Sequence, residues 1–140
     1  MKKIVSTTEA PAAVGPYSQA VRVGQIVFTA GQIPLHPQSG QIVSEDIAEQ
    51  TRQVLNNLTA VLKAENLTFD HIVKTTVFMT DLGQFQTMNE VYDSYFGDQP
   101  PARSTVQVSA LPKGARVEID CIAVSDQTPA GKQLSVDVGE

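Results

Sequence analysis

The stretch ARSTVQVSALPKGARVEIDCIAV, residues 102–124, reads as two β-strands around a Pro-Gly turn, and its alternation decides the fold. In the first strand Val106 and Val108 share one face, while Arg103, Thr105 and Gln107 share the other. One face is apolar and the other carries a cation. In the second strand Val117, Ile119, Cys121 and Ala123 lie on one side. Glu118 and Asp120 begin the opposite side, which continues into Ile122 and Val124, so carboxylates open a face that ends apolar. Each polar residue taken singly fits a solvated sheet face with a weak surface ion pair. Cys121, on the apolar side, fits a small core residue better than a nucleophile.

Upstream, the pattern turns helical from Leu82 to Phe96. Phe85, Met88, Tyr92, Tyr95 and Phe96 form an apolar stripe, and Asn89 falls inside it, one helical turn from both Phe85 and Tyr92. An amide buried there without a partner costs roughly 1–3 kcal/mol, so it must bond to backbone, water or ligand. Fixing a neighbouring loop and contacting a ligand both satisfy it. HIVKTTVFMT, residues 71–80, is β-branched and aromatic. Ile72 and Phe78 on one side, with Val73, Val77 and Met79 on the other, predict a strand covered on both faces.

An earlier helix is expected to start at Ser44 as N-cap, with Glu45 and Asp46 at its positive end. It carries Ile47, Val54, Leu55, Leu58, Val61 and Leu62 at helical spacing and ends near Asn66. IPLHPQSGQ, residues 33–41, is an irregular loop before it. QAVRV and QIVFTAG form a hairpin around Gly24, and KKIVST supplies a first short strand. The order is mixed α/β, without repeats or low-complexity blocks.

Composition narrows the function classes. At 140 residues and 41% hydrophobic, the chain is the size of one globular domain. Its 10 basic and 15 acidic residues give a net charge of −5, and no window gathers lysines or arginines into a track for phosphates. Nucleic acid and anionic membranes are therefore not expected as partners. MKKIVSTTEAPAAVGPYSQ lacks a continuous apolar run, and no later segment approaches a membrane span, so a cytoplasmic protein is the simplest reading. One cysteine excludes an internal disulfide and a multi-cysteine metal site. His36 and His71 are far apart and lack a paired ligand motif, so no metal is expected.

GPYSQA, residues 15–20, places one of only three tyrosines directly after a Gly-Pro turn. Locally this fits either a rigid turn with a ring laid over the core edge or a binding group carried on a loop. Taken with AGQIP, EQTRQVLNNLTAVL, MNEVYDSYF and PARSTVQVSALPKGARVEIDCIA, it resembles the Rid family, the reactive intermediate deaminases also called the YjgF family. The blocks are most similar to its RidA branch. The resemblance runs from the N-terminus to about Val124. It implies an α/β (α+β), chorismate-mutase-like fold, a mixed six-stranded sheet backed by two helices. It further implies a homotrimer with a cleft at each subunit interface, the family domain spanning residues 1–124. Residues 125–140 lie beyond the resemblance and are expected, from their own pattern, to be an extension packed on the body or on a neighbouring subunit. The activity implied is 2-iminobutanoate/2-iminopropanoate deaminase, hydrolysis of enamines and imines such as 2-aminoacrylate to 2-keto acids and ammonia, with no cofactor.

Carried over by position, Arg103 is similar to the arginine that holds the substrate carboxylate, a role suited to the guanidinium fork. Glu118 resembles the glutamate that handles the attacking water, and Tyr17 the tyrosine lining the cleft. Asn89 and Gly31 match the asparagine and the glycine backbone near the substrate. Two positions depart from the commoner pattern: Thr105 stands where many RidA proteins have Cys, and Ala30 where many have Ser. A threonine still hydrogen-bonds a carboxylate but supplies no thiolate, which weakens any thiol chemistry in the cleft. A non-catalytic module binding 2-keto acids would use the same Arg103 pocket without hydrolysis. A ribonuclease or translation inhibitor, a label the wider family has attracted, sits poorly with the acidic balance. In the tail, LSVDV alternates like a short strand.

Overall fold

The computed structural model describes residues 1–126; the strand expected in LSVDV lies outside them. Six strands, β1 (Lys3–Val5), β2 (Ala20–Val23), β3 (Ile26–Thr29), β4 (Ile72–Met79), β5 (Ala102–Gln107) and β6 (Val117–Val124), form one sheet. Two helices, α1 (Ile47–Lys63) and α2 (Phe85–Asp93), cover one face of it. The mixed six-stranded sheet with two helices is the expected architecture.

The sheet order is β1-β2-β3-β6-β4-β5. β2 and β3 form the expected hairpin, turned at Gly24 with φ of 60°. The strands of the 102–124 stretch are not neighbours. β4 runs between them, antiparallel to β6 and parallel to β5, so the segment around Pro112–Gly114 crosses over the end of β4. Lys113 turns that corner with φ of 59° and Gly114 with φ of 70°.

α1 begins two residues later than expected. Asp46, not Ser44, is the N-cap, its carboxylate accepting from the Glu49 N–H at 3.0 Å, while the Ser44 hydroxyl accepts from the Asp46 N–H. The helix ends at Lys63, and Asn66 closes the following turn with φ of 60°. Val54, Leu55, Leu58, Val61 and Leu62 are fully buried against the sheet, as their spacing predicts. α2 is shorter than its apolar stripe. A separate helical turn, Leu82–Gln84, precedes it, and Tyr95 and Phe96 lie beyond its end, where Phe96 stacks on Phe69 at 5.1 Å.

In β4 the pairing with β6 shifts register between Ile72 and Lys74, a bulge that turns Val73 out to solvent and sends Ile72 into the core beside Val77 and Met79. The strand is therefore not covered on both faces as its apolar residues predict: Ile72, Thr75, Val77 and Met79 are buried, while Val73 is exposed and Phe78 is half-buried on the other side. Cys121 is a core residue, and burial pushes its thiol up to about 12.

Register sets which way every functional side chain points. Thr75 of β4 pairs with both Arg103 and Cys121 and is buried under α2, its hydroxyl 2.7 Å from that of Tyr92. Arg103, and with it Thr105, therefore faces the helices. Phe78, an odd number of residues on, pairs with Glu118 and Val106, which look out from the opposite face. The alternation of β5 is as expected, with the cation-bearing face the covered one and Val106, on the apolar face, 41% exposed. Phe28, Val106 and Val124 all stand on this uncovered face.

Candidate active site

A cleft of about 490 Å³ opens where the N-terminal loop, the segment after β3 and the start of β6 meet. Tyr17, Ala30, Gly31 and Glu118 line it together, with Pro11, Val14, Ile33 and Leu35 supplying apolar walls. Four of the seven positions singled out in the sequence thus converge on one cavity. Tyr17 is half exposed, and its hydroxyl accepts from the Val14 N–H at 3.3 Å, so the ring forms a wall with its polar end at the loop. That answers the question posed by an aromatic after a Gly-Pro turn.

Glu118 is the cleft's ionisable centre. Its carboxylate is half-buried, and desolvation, with the nearby Asp120 charge second, holds it above the usual carboxylate range. Burial also raises Asp120, against hydrogen bonds from Thr76 and the charge of Lys74. An apolar cleft around a carboxyl that protonates readily gives a group able both to accept and to return a proton.

Arg103, Asn89 and Thr105 lie elsewhere. Arg103 donates through Nη1 to the Asn89 side-chain oxygen at 2.7 Å, which gives the amide on the apolar stripe of α2 its partner. The guanidinium carbon sits 4.7 Å from the Tyr92 ring centroid and 5.4 Å from that of Phe85. Among the described residues no carboxylate pairs with it. Asn89 and the Tyr92 and Phe85 rings together hold the guanidinium. Among the described residues, the Thr105 hydroxyl on the same face is buried without a hydrogen-bond partner.

Two contributors were missed in the sequence. Gln19, 4% exposed, accepts from the Thr7 N–H at 2.6 Å and donates to the carbonyls of Thr7, Ala10 and Pro11, clamping the loop that walls the cleft. Its position two residues after Tyr17 was visible, but a lone Gln carries no distinctive signal. Lys113 reaches the cleft rim and donates to the Gly40 carbonyl at 3.2 Å. His71 and His36 accept backbone N–H groups of Thr68 and Gln38, and among the described residues no group of three or more His, Cys, Asp or Glu could hold a metal ion.

The sequence model of a family described as Endoribonuclease L-PSP matches residues 7–125. The chain is 50% identical over 124 residues to a mouse protein named 2-iminobutanoate/2-iminopropanoate deaminase, covering 89% of this chain and 92% of that one. A solved structure from Yersinia pestis, described as a conserved Rid family protein of unknown function, is 51% identical with a TM-score of 0.86, covering 89% of this chain and 99% of that one. A structure of E. coli TdcF with bound serine is 48% identical with a TM-score of 0.83, covering 87% and 98%.

Proposed function

The chain belongs to the Endoribonuclease L-PSP family, and from that premise we propose that it is a 2-iminobutanoate/2-iminopropanoate deaminase whose cleft is completed between subunits. The observation that carries this reading is the desolvated Glu118 carboxylate in an apolar cleft beside Tyr17, in a chain half identical to a protein named for that activity.

The chemistry fits the groups. Arg103 holds the substrate carboxylate with its free donors, anchored by Asn89 and the Tyr92 and Phe85 rings. The serine bound by TdcF carries the same carboxylate, which supports an anionic, amino-acid-sized substrate. Glu118 takes a proton from water as the water oxygen bonds to the imine carbon. That proton passes to nitrogen, giving a carbinolamine; Glu118 then takes the proton of the new hydroxyl and returns it to nitrogen, so that the C–N bond breaks and ammonia leaves as the carbonyl forms. Tyr17 and Gly31 bound the space in which this happens, with Ala30 beside them.

Arg103 and Glu118 point from opposite faces of one sheet, so a single substrate meets both only if they come from different chains. A homotrimer closes such head-to-tail contacts, and the uncovered sheet face with Phe28, Val106 and Val124 provides an apolar surface for it. No helix among the described residues is long and apolar enough to cross a membrane, and cytoplasmic action accords with this. The family's description names a ribonuclease, but a net charge of −5 without a basic track is poorly suited to RNA.

The test is direct. Added to a pyridoxal-phosphate lyase that generates 2-aminoacrylate, the purified chain should speed the release of keto acid and ammonia. Binding of 2-keto acids with no acceleration would leave the binding-module reading instead.

A further inference from the structure

We propose that Gly31 is a positioning residue for Glu118, lacking a side chain because the glutamate's own side chain fills that volume; this rests on the reading that Glu118 handles the water. A Cβ built on Gly31 would lie 2.8 Å from Cδ and 3.0 Å from Cγ of Glu118, with a carboxylate oxygen nearer still. All three nearest atoms belong to Glu118. Gly31 is not among the glycines with positive φ, so its backbone is one that any residue adopts. Space, not conformation, is what the position requires.

The backbone on both sides denies the pair an escape. Gln32 donates to the Ile119 carbonyl at 2.9 Å and Ile119 donates back to Gln32 at 3.1 Å, locking the residues that follow Gly31 and Glu118 into one antiparallel bridge. On the other side the Ala30 N–H donates to the Gln19 carbonyl at 2.9 Å. Residue 31 cannot retreat without breaking these bonds. A methyl group there must push the flexible glutamate side chain out of its seat and swing the carboxylate away from its present aim into the cleft.

A double-mutant cycle reads this out. Gly31→Ala should lower kcat by about tenfold or more while KM changes by less than about threefold, since the carboxylate and not the substrate's place is disturbed. Glu118→Asp retracts the carboxylate by one methylene from the added methyl group. In that background Gly31→Ala should cost less than about threefold, a strong departure from multiplicativity. Undiminished loss in the Asp background would overturn the proposal. Thermal unfolding gives a second reading independent of turnover: Gly31→Ala should lower the melting temperature of the parent but not of Glu118→Ala, where the seat is vacant. Equal destabilisation in both backgrounds, or failure to fold in both, would also overturn it. Parent-level turnover by Glu118→Gln sinks the underlying mechanism instead, and the stability cycle still judges the seat.

Discussion

Arg103 and Glu118, to which the proposed function gives the substrate anion and the proton transfer, project from opposite faces of the same sheet. Arg103 pairs with Thr75 under α2, and Glu118 pairs with Phe78 on the uncovered side. Under the proposed function, each chain therefore carries two half-sites, Arg103 for the substrate anion and Glu118 for proton transfer.

At Arg103 geometry should matter more than charge. Lysine keeps the positive charge but loses the planar fork that bonds Asn89 while leaving donors free. One charged hydrogen bond is worth roughly 1.5–3 kcal/mol, so Arg103→Lys should lower kcat/KM by about tenfold to a hundredfold. Steady-state kinetics on 2-aminoacrylate, with circular dichroism to confirm folding, checks this.

Glu118→Gln should abolish turnover while gaining stability at neutral pH. A carboxyl raised by burial holds its proton more tightly in the folded chain than in the unfolded one, so ionising it costs stability. That cost is absent below the ordinary carboxylate range, near pH 4 as a rough guide, grows as pH rises toward the folded value, and is fully present above it. The glutamine variant should thus melt above the parent at pH 7, with the gap closing on acidification. Activity runs the opposite way with pH: a base must be ionised, so kcat/KM should rise through an acid limb that lies above the ordinary carboxylate range.

The unpartnered Thr105 hydroxyl predicts a stabilising substitution. Thr105→Val keeps the shape and removes a buried oxygen without a partner, and should raise stability by about 1 kcal/mol in denaturant titration. Thr105→Cys should act in the same direction. Thr105→Cys should change activity far less than Arg103→Lys, since no step uses a thiol.

Much of the fold was legible because α1 and the β2–β3 hairpin obey simple periods and carry their own turn signals at Gly24. What escaped was set by tertiary context. β5 and β6 are adjacent in sequence, yet β4 inserts between them, and no local pattern announces that crossover. The bulge that exposes Val73 breaks the alternation from within. For β5, alternation separates Val106 from Arg103 and Thr105 but does not say which of the two faces the helices cover. The site residues were found through resemblance, while Gln19, whose importance lies in four hydrogen bonds to a loop, is chemically unremarked until folded.

The most direct measurement mixes two inactive variants, Arg103→Ala and Glu118→Ala, under conditions that allow subunits to exchange, and follows 2-aminoacrylate hydrolysis. If each cleft joins Arg103 of one chain to Glu118 of another, random assembly restores an intact pair at roughly a quarter of the interfaces, with activity in that proportion. A mixture as inactive as its components, with exchange confirmed by mass, would contradict the composite cleft and with it the proposed division of labour.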